Sequence, residues 1–177
     1  MFPIKATPAG SNPAVVLNVL FLCTGNSARS ILAEALLNDR GRGRFRAFSA
    51  GSFPAGRVNP FAAELLRQHG LPVDTMRSKS WDEFSAADAP TIDFVVTVCD
   101  NAATEACPVW AGHPYTAHWG IPDPAAVAGT DAAKRLAFAD AYRLLANKIE
   151  QFINLPFDSL SKTLLQQQLD EIGRDHI

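Results

Sequence analysis

Residues 15–30 read VVLNVLFLCTGNSARS, an apolar run that ends at Cys23 and gives way to a short polar stretch. The apolar run predicts a buried strand, and the residues after the polar stretch have helical spacing. A loop between a strand and a helix start points backbone N–H groups and partial positive charge at one place, which favours binding of an anion. Gly25 and Asn26 are residue types that tolerate left-handed backbone, as such a tight loop requires.

Cys23 lies at the base of this loop, where the positive field favours the thiolate, the nucleophilic form of cysteine. Arg29 has a planar donor fork that fits two oxygens of a tetrahedral anion, and Ser30 can donate a hydrogen bond to the sulfur. We therefore predict Cys23 and Arg29 as catalytic residues. The predicted anion-binding residues follow Cys23 directly: Thr24, Gly25, Asn26, Ser27, Ala28, Arg29 and Ser30. The alternative is a buried structural cysteine with an arginine on the next turn.

Composition excludes several functional classes. The chain has 177 residues, which predicts one domain, and its 16 basic and 18 acidic residues create no field for nucleic acid. No stretch approaches the ~20 apolar residues of a membrane helix, so we predict no membrane partner. Three cysteines, an odd number, do not form a secreted disulfide framework. The expected compartment is therefore the cytoplasm.

The N-terminus superficially resembles that of a secreted lipoprotein, because Lys5 precedes an apolar run that ends at Cys23. That interpretation fails because Leu22 stands where a small residue is needed before the cysteine, and Asn18 interrupts the run. We predict residues 1–13 as a mobile tail, residues 14–156 as the catalytic domain and residues 157–177 as a C-terminal helical extension.

Strand and helix patterns alternate along the chain. Strands are predicted at about 15–22, 45–49, 92–98 and 115–119, with helices between and after them, including a long one from near Thr130 to Pro156. Apolar spacing over 160–172 predicts a last amphipathic helix. This alternation indicates an α/β fold with an open parallel sheet flanked by helices. Ligands bind such sheets at the carboxyl ends of the strands, where Cys23 and Cys99 fall.

Cys99 and Cys107 enclose seven residues that form a loop or a short helix. If this segment can loosen, the two sulfurs can reach the ~5.5–6 Å Cα separation of a disulfide. Cys99 could also reach Cys23, which would give three thiols able to pass a disulfide outward by exchange. The alternative is that both are small buried apolar residues. A metal site that adds His113 or His118 matches no common spacing.

Asp123 lies between Pro122 and Pro124 in a stiff loop. A carboxyl held over the anion site could protonate a leaving oxygen as a general acid. The alternative is an ordinary Asp-Pro turn.

Together these motifs resemble the low-molecular-weight protein tyrosine phosphatase family, and within it the arsenate reductases that use a thiol relay. The resemblance covers residues 14–155. The matching segments are the Cys23–Ser30 loop, Ser49-Ala50-Gly51, Val95-Val96-Thr97-Val98-Cys99, Cys107-Pro108, His118-Trp119-Gly120 and Asp123-Pro124. The resemblance implies a three-layer fold with a four-stranded parallel sheet, to which the last helix would be an addition.

The resemblance also implies a reaction and its partners. Cys23 would attack arsenate, Asp123 would protonate the departing oxygen, and Cys99 and then Cys107 would carry the disulfide to a thioredoxin-type reductant. The runner-up is a phosphatase that uses only Cys23, Arg29 and Asp123. A third possibility is a non-catalytic oxyanion sensor.

The chain departs from the family pattern at several positions. Ala28 stands where many members have a second loop cysteine, and Ala125 and Ala126 stand where the phosphatases have tyrosines after Asp-Pro. Some reductases bind potassium near the loop. That site is matched by Asn26, Glu34 and Ser49, but Ser80 replaces the expected acid. We predict no cofactor and no resident metal, and the sequence leaves potassium open.

Overall fold

A single parallel sheet organises the protein in a computed structural model that describes residues 15–175, so the tail predicted for residues 1–13 lies outside the described residues. The strands are β1 (Leu17–Cys23), β2 (Phe45–Gly51), β3 (Phe94–Thr97) and β4 (Tyr115–His118). The described α-helices are α1 (Arg29–Arg40), α2 (Pro60–Gln68), α3 (Asp100–Thr104), α4 (Asp131–Ile153) and α5 (Lys162–Arg174). Short 3₁₀ helices span Trp81–Phe84 and Pro124–Ala126.

The sheet has the order β2-β1-β3-β4, and all three pairings are parallel. The apolar β1 lies in the interior of the sheet, with side chains buried on both faces. Its register pairs Cys23 with Gly51 and Leu22 with Thr97, and Thr97 pairs with His118. The carboxyl ends of the strands therefore meet at one edge. The predicted four-stranded parallel sheet with flanking helices is confirmed.

The long helices pack on one face of the sheet. α4 contributes Phe138, Leu145, Ile149 and Phe152 to this core, as the sequence pattern predicts. A smaller cluster on the other face includes Phe84 and Trp110 with side chains of β1 and β3. The two clusters cover the central strands from both sides, which explains why those strands read as near-continuous apolar runs.

The predicted last helix is present as α5, and it packs against β4. It buries Leu165, Leu169 and Ile172, whereas Leu164, which the pattern also placed on the buried face, is 49% exposed. The approach is close at Gly173, since a Cβ there would collide with the carbonyl oxygen of His118. The extension therefore closes one side of the sheet beside the carboxyl ends of the strands.

Strand boundaries differ from the predicted ones by a few residues. β2 continues to Gly51, because it pairs with β1 as far as Cys23. The third strand is shorter than the predicted 92–98, although Val98 still donates a backbone hydrogen bond to Leu22. Within residues 15–175, no helix combines the length and apolar character needed to cross a bilayer.

Candidate active site

Cys23 is the last residue of β1, and the loop that follows curls over its sulfur before α1 begins at Arg29. The loop packs tightly against the end of β2. A Cβ at Gly51 would collide with the carbonyl oxygen of Thr24, so the Ser49-Ala50-Gly51 motif lets the two backbones approach. The strand ends and the helix start thus form one cradle around the sulfur, as the sequence predicts.

The sulfur of Cys23 is enclosed and hydrogen-bonded. It lies 2.9 Å from the hydroxyl of Ser30, and the backbone N–H of Asn26 donates to it at 3.2 Å. The residue is 4% exposed, and burial raises the pKa of the Cys23 thiol above its usual value. The hydrogen bonds from Ser30 and Asn26 lower this pKa, and nearby Cys99 raises it. Enclosure outweighs the hydrogen bonds, so the pKa of the Cys23 thiol lies above its usual value and not below it, where the loop motif predicts it.

Asn26 holds the loop in shape. Its φ of 42° is left-handed, a conformation that costs less for Asn than for most residues. Its side chain is fully buried and donates to the hydroxyls of Ser30 at 2.9 Å and Ser49 at 3.0 Å. Its amide oxygen accepts the backbone N–H of Lys79 at 2.8 Å. This network orients the Asn26 N–H toward the Cys23 sulfur.

A buried ion pair lies behind this network. Glu34 accepts a short hydrogen bond from Ser49, and the Lys79 ammonium lies 3.7 Å from the same Glu34 oxygen. Both side chains are largely enclosed, with 14% and 8% exposed respectively. Burial raises the pKa of Glu34 and lowers the pKa of Lys79, and the attraction between them opposes both changes.

This arrangement does not fit a resident potassium ion. Asn26, Glu34 and Ser49 are brought together, but Asn26 turns its NH₂ group toward Ser49 and uses its oxygen for the backbone of Lys79. The ammonium of Lys79 already lies beside the Glu34 carboxylate. In the described part of the chain, residues 15–175, no cluster of three or more His, Cys, Asp or Glu side chains could hold a metal ion.

Arg29 and Asp123 meet at the mouth of the cradle. The guanidinium donates to the carbonyl oxygen of Ile121 at 3.0 Å and lies 3.3 Å from a carboxylate oxygen of Asp123. The other Asp123 oxygen accepts the backbone N–H of Ala125 at 3.0 Å. Arg29 is 15% exposed and Asp123 is 41% exposed. The two predicted residues are thus side by side and accessible to a small anion.

Cys99 caps the N-terminus of α3, and its sulfur accepts the backbone N–H of Ala102 at 3.4 Å. The same sulfur lies 3.7 Å from the hydroxyl of Thr24, the residue after Cys23. Cys99 is 3% exposed.

Cys107 is exposed, beyond the C-terminal end of α3, and all three cysteines are unpaired. Partial burial and the Glu105 carboxylate raise the pKa of the Cys107 thiol. Glu105 also accepts a hydrogen bond from Thr24 at 3.3 Å, while its second oxygen is buried without a hydrogen-bond partner among residues 15–175. Glu105 therefore ties the segment between the outer cysteines to the loop around Cys23.

His118 connects the last strand to the start of α3. One ring nitrogen lies 2.8 Å from the hydroxyl of Thr97, and the other lies 2.9 Å from the carboxylate of Asp100. A cleft of about 790 Å³ opens in front of these groups. Its lining includes Arg29, Cys99, His118 and Asp123 together with Asp170, Gly173 and Arg174 of the C-terminal extension.

The structure brings Cys23, the loop residues, Arg29, Asp123 and Cys99 to one edge of the sheet, whereas Cys107 lies on the surface. Sequence reasoning missed Lys79 and Glu105. Lys79 adjoins Ser80, where an acidic residue was expected, so a charged residue one position away was the available signal. The Glu105 contact had no comparable signal, because it depends on how α3 packs against the loop.

Known proteins resemble this chain over most of its length. The model of the low molecular weight phosphotyrosine protein phosphatase family matches residues 18–168. An arsenate reductase from Bacillus subtilis is 33% identical over 134 residues, which cover 76% of this chain and 93% of that protein.

Solved structures show the same fold. The crystal structure of arsenate reductase from Archaeoglobus fulgidus is 30% identical, with a TM-score of 0.56 and coverage of 75% of this chain and 98% of that one. A low molecular weight protein tyrosine phosphatase from T. tengcongensis is 24% identical, with a TM-score of 0.60 and coverage of 77% and 97%, and this likeness concerns the fold alone.

Proposed function

Since the chain belongs to the low molecular weight phosphotyrosine protein phosphatase family, we propose that it is an arsenate reductase that works through a Cys23, Cys99 and Cys107 disulfide relay. The observation that carries this proposal is the position of Cys99, whose sulfur lies 3.7 Å from the hydroxyl of Thr24, next to the nucleophile. A phosphatase needs no second thiol at that place. The arsenate reductases among its relatives support the choice of substrate.

The first step joins Cys23 to arsenic. Arsenate enters the cradle, and Arg29 leaves Asp123 to bind two of its oxygens. The enclosed thiol of Cys23 passes its proton to the dianionic substrate, which is itself a base. The thiolate then attacks As(V). Asp123, which takes a proton from solvent once Arg29 has left it, gives that proton to the departing oxygen, which leaves as water. This step changes no oxidation state.

The second step is the reduction. The thiolate of Cys99 attacks the sulfur of Cys23, and a Cys23–Cys99 disulfide forms as the sulfur–arsenic bond breaks. The electron pair of that bond stays on arsenic, which leaves as As(III) in arsenite. Two thiols have then supplied the two electrons.

The third step moves the disulfide to the surface. Cys107 attacks Cys99, Cys23 departs as a thiolate, and the bridge becomes Cys99–Cys107. Cys107 is exposed, so the new bridge is accessible to a protein dithiol of the thioredoxin type, which reduces it. A reducing cytoplasm, where such dithiols are maintained, is the compartment that suits this cycle.

A Cys107→Ser variant tests the relay. We expect one arsenite per chain and then arrest, with a Cys23–Cys99 disulfide trapped and identified by peptide mass mapping. Continued turnover of this variant with thioredoxin would contradict the outer step. The matched control is Cys99→Ser, which should release no arsenite, because the thiol that breaks the sulfur–arsenic bond is gone.

Phosphoester hydrolysis is the second candidate, because Cys23, Arg29 and Asp123 are sufficient for it and the family is named for it. Asp123 lines the cleft, and Ala125 and Ala126 follow it in place of the tyrosines expected of the phosphatases. We therefore expect only weak hydrolysis of aryl phosphates. If the Cys107→Ser and Cys99→Ser variants kept wild-type hydrolysis while neither released arsenite, the phosphatase would be favoured.

A further inference from the structure

We propose that the Lys79 ammonium takes the place of a bound monovalent cation beside the oxyanion loop (Cys23–Ser30). It holds this loop in the shape that binds the anion, so the loop needs no monovalent cation from solution. Lys79 is a positioning residue in this account and does not touch the substrate. The inference rests on the proposed function only in so far as the Cys23 loop binds a tetrahedral oxyanion.

Lys79 connects three elements of the site through three different atoms. Its backbone N–H donates to Asn26 in the loop at 2.8 Å, and its carbonyl oxygen accepts the N–H of Gly51 at the end of β2 at 2.9 Å. Its ammonium lies 3.7 Å from Glu34 of α1 and donates to the carbonyl oxygen of Arg77 at 3.1 Å. The loop, β2 and α1 are therefore linked through a single residue.

The effect of this residue reaches the sulfur through hydrogen bonds. Glu34 accepts from Ser49, Ser49 accepts from the Asn26 amide at 3.0 Å, and Asn26 donates its backbone N–H to Cys23 at 3.2 Å. Without the ammonium, the Glu34 carboxylate, with 14% of its side chain exposed, would keep only the weaker attraction of Arg77. The strained backbone of Asn26 would then lose part of the framework that maintains it.

The groups around Glu34 also leave little for a dissolved cation to coordinate. The Asn26 side chain presents its NH₂ group, a donor, toward Ser49, while its oxygen is used by the Lys79 backbone. The lysine charge lies against the carboxylate oxygen that accepts from Ser49. Removal of the lysine side chain would free that oxygen and open space beside it, so a small monovalent cation should then bind there.

The test measures how well inorganic phosphate protects Cys23 from alkylation by iodoacetamide, with potassium chloride or choline chloride at equal ionic strength. The Cys99→Ser/Cys107→Ser background leaves Cys23 as the remaining cysteine. The wild-type Lys79 protein should give the same protection constant in both salts. Lys79→Ala should bind phosphate about ten-fold more weakly in choline and regain most of that loss in potassium, because misplacement of a binding group is costly.

Two controls separate positioning from general destabilisation. Lys79→Arg keeps the charge and should stay within about two-fold of the parent. Lys148→Met removes another buried ammonium, which caps the carboxyl end of α5 through Ile172, Gly173 and Asp175. It should lower stability with no change in phosphate protection and no response to potassium. If Lys79→Ala does not fold, Lys79→Met is measured instead, and it should weaken phosphate binding in both salts.

Two results would overturn the inference. One is a Lys79→Ala or Lys79→Met protein that binds phosphate in choline chloride as tightly as its parent. The other is a parent protein whose phosphate binding improves several-fold in potassium. Because the readout involves no arsenate, the inference can hold in a protein that fails to reduce arsenate, and it can fail in one that succeeds.

Discussion

The oxyanion loop and the segment from Cys99 to Cys107 lie side by side but are held very differently. The loop is fixed by buried hydrogen bonds from Asn26 and by the Glu34–Lys79 pair behind it. The cysteine segment contains one five-residue helix, and the contacts described between its side chains and the loop run through Thr24. The first region suits a fixed binding site, and the second suits a part that must move.

The difference follows from what each region does in the proposed cycle. The loop must present N–H groups to an anion in one geometry, and preorganisation of this kind strengthens electrostatic catalysis. Cys99, by contrast, must form a bridge with Cys23 and then with Cys107, and one geometry cannot serve both. A weakly held segment is therefore needed for the relay.

Asp123→Asn gives the largest expected effect and separates the two regions kinetically. The loss of the general acid should slow the first chemical step by ~10²–10⁴-fold. The later transfer of the disulfide from Cys23–Cys99 to Cys99–Cys107, measured from a preformed bridge, should be unchanged. Rapid-quench measurement of arsenite in a single turnover checks this, with Asp88→Asn at an exposed position as the control. An unchanged single-turnover rate would remove Asp123 from the mechanism.

Ser30→Ala tests the oxyanion loop, the more firmly held of the two regions. Its effect on the reactivity of Cys23 should be intermediate in size. The Ser30 hydrogen bond lowers the pKa of the Cys23 thiol, so its loss should raise that pKa further. A hydrogen bond to a charged group is worth about 1.5–3 kcal/mol, so the midpoint of Cys23 alkylation should move clearly to higher pH. At any pH below the midpoint, alkylation should therefore be slower than in the parent protein.

The control for Ser30→Ala is Ser27→Ala, which removes a hydroxyl from the same loop and leaves the hydrogen bond between Ser30 and Cys23 in place. Its alkylation profile should match that of the parent. A downward movement of the midpoint in Ser30→Ala would show that the hydroxyl does not stabilise the thiolate.

Glu105→Ala should give the smallest effect, because it acts on the segment from Cys99 to Cys107, the less firmly held of the two regions. It removes the carboxylate that accepts from Thr24 and should speed amide hydrogen exchange in the 100–106 segment by about five-fold, the equivalent of about 1 kcal/mol. Exchange around the oxyanion loop should not change. Thr104→Ala, which removes a hydrogen bond within α3 to Asn101, is the matched control. Faster exchange in the loop than in the segment would contradict the contrast between the two regions.

The sequence carried enough information for most of the sheet and the cradle. The apolar run before Cys23 and the proline-flanked Asp123 are local signals, and both lie where predicted. Of the two loop residues expected to allow left-handed backbone, Asn26 adopts it and Gly25 does not. Lys79 lies 53 positions from Asn26 and reaches the site because the chain pairs with the end of β2. That pairing has no periodic pattern, so only the folded chain reveals it.

The direction in which the protein moves the pKa of Cys23 also could not be predicted from the local motif. The loop motif predicts a field that favours the thiolate, but the degree of enclosure depends on the packing of Cys99, Ser30 and the neighbouring strands. The same limit applies to α5. Its apolar spacing predicts a helix, but its contact with His118 and its place in the cleft wall come from tertiary packing.

A count of free thiols before and after one addition of arsenate tests the central claim most directly. The account predicts a fall from three free thiols to one per chain, with the lost pair mapped to Cys99 and Cys107 and one arsenite formed. Three free thiols after complete mixing with arsenate, with no arsenite formed, would contradict the relay.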